Sequence, residues 1–121
     1  MQIVSFLDFG GKNIIYHYVN DVFWVAIKPV CEAFNLDYEE QHTILCEDKI
    51  LKTKLSEHTI YLPGETQPRL FVCLPEEFYY SWLFSIQSDS KELQEYITEC
   101  CRVLFKRLKC TERDIWLMDS N

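Results

Sequence analysis

Glycine and proline are scarce in this chain, three and four residues among 121. So few breakers exclude collagen-like and low-complexity sequence, and a hydrophobic share of 48%, including eight Phe, seven Tyr and three Trp, excludes a disordered chain. Positive charge is short as well: 12 Lys and Arg face 19 Asp and Glu, a formal net charge of -7. That balance disfavours a generic DNA-coating role, because non-specific affinity rests on cations that neutralise phosphates and release counterions. No apolar run approaches the roughly 20 residues needed to span a bilayer. The start Met1-Gln2-Ile3-Val4 carries no basic region ahead of an apolar stretch, so no secretory signal is visible. These absences predict a soluble, cytoplasmic, non-membrane protein. A chain of this length forms one domain that buries about two-thirds of its unfolded surface, enough for a core without staples.

What basic residues there are fall into two clusters, Lys49, Lys52 and Lys54 in the middle, and Arg102, Lys106, Arg107, Lys109 and Arg113 near the end. Solvated helix faces account for both better than a nucleic-acid groove does.

Hydrophobic periodicity predicts an α+β domain of short antiparallel strands in hairpins packed against about four helices. Residues 2–9 alternate imperfectly and run into Gly10-Gly11, a hairpin-turn signal; residues 13–19 and 22–26 follow as strands on either side of Asn20-Asp21. Pro29 suits the first turn of a short helix ending near Asn35. Asp37 followed by Glu40 reads as a capping-box variant that opens a second helix through Leu45. Residues 54–62 and 69–74 form a second hairpin about a turn cluster, Pro63 to Pro68. Pro75-Glu76-Glu77 then starts a helix with carboxylates at the positive end of its dipole. The longest helix opens after Ser88-Asp89-Ser90 and recurs in Leu93, Ile97, Cys100, Cys101, Leu104, Phe105 and Leu108. The domain is read as residues 1–109. Residues 110–121 are read as a tail, whose Ile115-Trp116-Leu117-Met118 docks on the body, meets a partner or leads toward a second domain.

Chemistry finds little to build on. Zinc needs thiolates from short C-x-x-C or H-x-x-x-H units, whereas Cys31, Cys46, Cys73 and Cys110 are isolated and Cys100-Cys101 are adjacent. All six cysteines are therefore expected to be reduced thiols acting as small hydrophobes, with no metal and no cofactor. His17, His42 and His58 read as structural residues, and neither a nucleophile elbow nor a glycine-rich phosphate loop is present. The chain is not expected to be an enzyme. Aromatics are denser: Phe78, Tyr79, Tyr80, Trp82 and Phe84 crowd one short helix. Trp82, Leu83 and Phe84 read as core, and Tyr79 and Tyr80 as a contact surface, since tyrosine is enriched where proteins meet.

Two segments carry a resemblance. The run from Ile27-Lys28-Pro29-Val30 through Leu36-Asp37-Tyr38 to Gln41, and the later Cys73-Leu74-Pro75 with Trp82-Leu83-Phe84-Ser85-Ile86, are similar to the amino-terminal domain of phage antirepressors. That family is related to the BRO amino-terminal domains of large DNA viruses, and the likeness spans residues 22–108. It implies a phage or prophage protein in a bacterial host cell that binds a repressor or another transcription regulator and inactivates it, with homo-oligomers open. Most matching positions are fold-defining; the polar exceptions, Lys28, Asp37 and Gln41, join Tyr79 and Tyr80 as candidate partner-binding residues. The alternative the resemblance carries is a sequence-specific DNA-binding regulator of BRO type, for which Lys49, Lys52, Lys54, Arg102, Lys106, Arg107 and Lys109 are the candidate contacts. Two departures stand out. Family members commonly place basic residues after the glutamine, where this chain has His42-Thr43-Ile44, and a Pro-Gly ahead of the tryptophan, where it has Tyr80-Ser81.

Overall fold

The computed structural model describes the backbone of residues 3–9 and 12–119, and side chains from residue 13 to 108. The turn expected at Gly10-Gly11 lies outside the described residues. The chain divides into two units, Met1–Ile86 and Gln87–Asn121.

The first unit is built on a five-stranded sheet in the order β1-β2-β3-β5-β4. Its strands are β1 (Ile3–Phe9), β2 (Lys12–Val19), β3 (Val22–Ala26), β4 (Ser56–Ile60) and β5 (Arg69–Pro75), and every neighbouring pair is antiparallel. The two expected hairpin groups are therefore parts of one sheet. They join where Val25 pairs with Leu74 and Ala26 with Cys73.

Turn chemistry sets the registers. Asn20 and Asp21 have φ of 52° and 64°, the signature of a type I′ turn, which places Val19 opposite Val22. Asn and Asp tolerate that left-handed region better than other residues with a Cβ. In the second hairpin Pro63 precedes Gly64 at φ 81°, and the Glu65 N–H donates to the Leu62 carbonyl at 3.1 Å. Proline at the first corner and a positive-φ glycine at the second make a type II turn.

Alternation along the strands gives the sheet two apolar faces. Ile15, Ala26, Ile60, Phe71 and Cys73 form a buried cluster on one, with Trp24 and Leu62 packed against it. Ile14, Val25 and Leu74 on the other face are fully buried. The sheet is strongly coiled. His17 on β2 and His58 on β4 have two strands between them, a separation of about 14 Å in a flat sheet, yet their Nδ1 atoms lie 2.8 Å apart.

Three helices complete the unit: α1 (Ile27–Ala33), α2 (Tyr38–Glu47) and α3 (Glu76–Ser85). α1 packs against β2 and β5, and α3 against β3 and β5. α1 begins two residues before Pro29 and ends in a left-handed cap. Asn35 has φ 56°, and the Leu36 N–H donates to the Cys31 carbonyl at 2.8 Å, the long bond of a Schellman motif. Asp37 then caps α2 by accepting from the Glu40 N–H at 3.2 Å. A 3₁₀ turn that periodicity did not indicate, Leu51–Thr53, follows α2. The Asp48 carboxylate holds it by accepting from the Ile50 and Leu51 N–H groups, each at 2.9 Å.

The second unit is one helix, α4 (Lys91–Asp119). Ser90 caps it, accepting from the Leu93 N–H at 3.3 Å, as the serines ahead of it predicted. The helix runs through the stretch read as a tail. Of the expected stripe, Leu93 and Cys100 are buried with Tyr96, which the stripe had left out, while Ile97 and Leu104 are half-buried. Cys101, Phe105 and Leu108 are exposed, contrary to the stripe. At about 100° per residue Cys101 and Phe105 fall off the line through Leu93 and Cys100, and Leu108, although near that line, lies two turns past Cys100. No helix among the described residues is long and apolar enough to cross a membrane.

Candidate functional site

The signature's polar residues serve the fold. Trp82 is buried to 1% exposure, and its indole N–H donates to the Gln41 side-chain oxygen at 3.1 Å. The first motif's glutamine thus satisfies the second motif's tryptophan, tying α2 to α3. Asp37 is the α2 cap already described. The Lys28 ammonium stands 5.8 Å from the centre of the Tyr38 ring, within cation–π reach. Lys28 and Asp37 remain exposed and Gln41 is half-buried.

The aromatic helix divides differently from expectation. Tyr79 is fully buried, so it is a core residue and offers a partner no surface; it packs beside Trp82 with ring centroids 5.9 Å apart. Phe84, expected in the core, is 41% exposed. The reason is helical angle: Tyr79, Trp82 and Leu83 share the inward face at spacings of three and four, whereas Tyr80 and Phe84 share the next. Tyr80 is half-buried, its hydroxyl donates to the Glu76 carboxylate at 3.4 Å, and its ring stacks on Phe84 at 5.9 Å. Tyr80 and Phe84 thus form an aromatic ledge along α3.

Beside that ledge lies a groove of about 320 Å³ lined by Asp48, Ile50, Leu51, Glu77, Phe78 and Ser81. Ile50 is 63% exposed because the turn fixed by Asp48 projects it outward. The Lys54 ammonium sits 5.0 Å from the centre of the Phe78 ring. Sequence patterning did not reveal this groove, since its walls come from α3 and from a 3₁₀ turn.

The lysines of the middle cluster, Lys49, Lys52 and Lys54, are all exposed within one turn region. On α4, Arg102 pairs with Glu99 at 3.0 Å on the surface, and Lys106 and Arg107 are exposed. The side chain of Lys109 lies outside the described residues.

His17 and His58 were read separately as structural residues, and the sheet brings them together. One imidazole must donate and the other accept across the 2.8 Å contact, so the pair is held with at least one ring neutral. The His58 ring also lies 4.6 Å from Trp24. His17 is 2% exposed and its Nε2 has no hydrogen-bond partner. Burial lowers the affinity of both rings for a proton, and His58 is lowered further by the charge His17 would carry. A strand histidine gives no sequence signal of which distant strand it will face.

Cys31, Cys73 and Cys100 are buried free thiols, whereas Cys46 and Cys101 are exposed. Burial pushes Cys31 and Cys73 up to about 12 and Cys100 up to about 11, which makes these three poor nucleophiles at neutral pH. Among the described residues no group of three or more His, Cys, Asp or Glu side chains is placed to hold a metal ion.

The family model of the P22_AR N-terminal domain matches residues 5–112. No curated protein and no solved structure matches the chain.

Proposed function

Because the chain belongs to the P22_AR N-terminal domain family, the amino-terminal domain of phage antirepressors, we propose that it acts by binding a transcriptional repressor and keeping it from its operator. The observation that carries the choice of a protein partner over DNA is the aromatic ledge of half-buried Tyr80 and exposed Phe84 beside an apolar groove, on a chain whose net charge is -7. Interface energy concentrates in such aromatic anchors, while phosphate binding needs a gathered set of cations. Repressors present basic DNA-binding surfaces, which a chain of net charge -7 complements.

Co-purification with the repressor encoded by the same mobile element tests this directly. Replacing Phe84 with Ala, at an exposed position, should weaken the complex and leave the thermal midpoint within a few degrees. Complex formation unchanged by Phe84→Ala and Tyr80→Ala together would remove the ledge from the interface.

A second reading, a BRO-type DNA-binding regulator, is favoured by the exposure of Lys49, Lys52 and Lys54 within one turn region. In that case affinity for DNA falls steeply with salt and the lysines matter more than the aromatics.

A further inference from the structure

Cys46 has no other cysteine near it in sequence, yet His42 stands four residues before it on α2, one helical turn away on the same face. The fold turns both toward solvent. Gln41 and Leu45, each one position earlier, take the inward face, the first accepting from the Trp82 indole and the second fully buried. A step of about 100° then leaves His42 half-buried and Cys46 exposed. The Cys46 Sγ lies 3.9 Å from His42 Nδ1 and 3.8 Å from Nε2. A thiol is a weak donor, and one shared between two nitrogens at these lengths gives up little when it takes another partner.

We propose that His42 and Cys46 together chelate a thiophilic divalent cation of the zinc class, with water in the remaining coordination positions. A tetrahedral zinc bonded at about 2.3 Å to sulfur and about 2.0 Å to an imidazole nitrogen holds those two atoms about 3.6 Å apart. The separation already present is within a few tenths of an ångström of that. Imidazole and thiolate select zinc over magnesium or calcium, which prefer oxygen ligands. The Tyr38 ring, one turn before His42, lies 5.7 Å from the imidazole between centroids and limits its swing. Cys46 falls in the last turn of α2, where the carbonyl end of the helix dipole favours a cation. The helix carries Glu39, Glu40 and Glu47 and no lysine or arginine. Lys28 and Lys49 flank it and oppose a bound cation, but the three carboxylates and the thiolate formed on binding outnumber them. Structural zinc takes four protein ligands, and among the described residues no third His, Cys, Asp or Glu is grouped with this pair. The site is therefore an open one on the surface and not a staple of the fold. It is independent of the repressor reading, because it needs only α2.

Titration of the full chain with Zn²⁺, and with Co²⁺ as its coloured substitute, measures this when thiols are kept reduced by a phosphine that does not compete for metal. The expected result is a site for Zn²⁺ and, with Co²⁺, a thiolate-to-metal charge-transfer band. Loss of a residue that merely orients a ligand weakens metal binding about 10- to 100-fold, so His42→Ala and Cys46→Ser should each cost at least about tenfold. Cys46→Ser should also abolish the charge-transfer band. Cys46→His, which keeps two ligands at the same spacing, should retain Zn²⁺ while losing the band. Cys101→Ser, at the exposed thiol of α4, should change neither readout. Circular dichroism confirms that each variant folds. A chain that binds no Zn²⁺ would overturn the proposal. So would an affinity that ignores both His42→Ala and Cys46→Ser, or one lost as fully in Cys101→Ser as in Cys46→Ser.

Discussion

The Trp82 indole N–H donates to the side-chain oxygen of Gln41 at 3.1 Å, across 41 positions of sequence. Two motifs far apart in the chain are thereby one structural device, a buried aromatic whose polar atom is satisfied by a neighbouring helix. Gln41→Ala should cost about 1 to 3 kcal/mol, because it leaves a buried donor unpaired. In Trp82→Phe the donor is gone, so the added cost of Gln41→Ala should shrink to a few tenths of a kcal/mol. Urea unfolding of the two single variants and the double variant checks this coupling. Full additivity would mean that the hydrogen bond contributes nothing.

The His17–His58 pair makes stability depend on pH. Both rings hold a proton less readily in the fold than their ordinary value of 6.5, because burial disfavours the imidazolium. The unfolded chain therefore binds more protons below about pH 6.5, and stability present above that pH is lost as the pH falls through the lowered folded values. His17→Leu, which also removes the unpartnered Nε2, should flatten this decline between pH 7 and pH 5. Chemical denaturation at several pH values reads the slope, and an unchanged slope in the variant would place the titration elsewhere.

On α4 the exposures separate two leucines of the same stripe. Leu93 is fully buried and Leu108 is 65% exposed. Leu93→Ala should cost about 2 to 5 kcal/mol, the range for a cavity in a packed core. Leu108→Ala should stay within about 0.5 kcal/mol for the single chain at low concentration. Half-buried Leu104 falls between them. Equal losses at positions 93 and 108 would contradict the exposures.

Local chemistry explains which parts of this fold could be read from sequence. Asn20-Asp21, Pro63-Gly64, Asp37 and Ser90 act within a few residues of themselves, so the turns and caps they form were predictable from residue type and spacing. The pairing of β3 with β5 was not, because neighbouring strands chosen at long range leave no periodic trace. The same limit applies to His17 and His58, which meet only because the sheet coils. On the aromatic helix the composition was plain but the angle was not: Tyr79 is core and Phe84 is surface, the reverse of expectation. A rotation of about 100° per residue decides between them, and it depends on where the helix starts and what it packs against. The structural role of the signature glutamine was hidden for a related reason. Gln41 had no visible partner in sequence, and the structure supplies it in Trp82, 41 positions away.

Whether the chain works on a protein or on DNA is decided by fluorescence anisotropy of labelled operator DNA held by the repressor of the same mobile element. Added chain should lower the anisotropy to that of free DNA, by sequestering the repressor, and should leave the signal of the labelled DNA alone unchanged at physiological salt. The opposite result is a rise in anisotropy when chain is added to operator DNA without repressor, lost on replacing Lys49, Lys52 and Lys54. That outcome would contradict the protein-binding reading and establish the DNA-binding one.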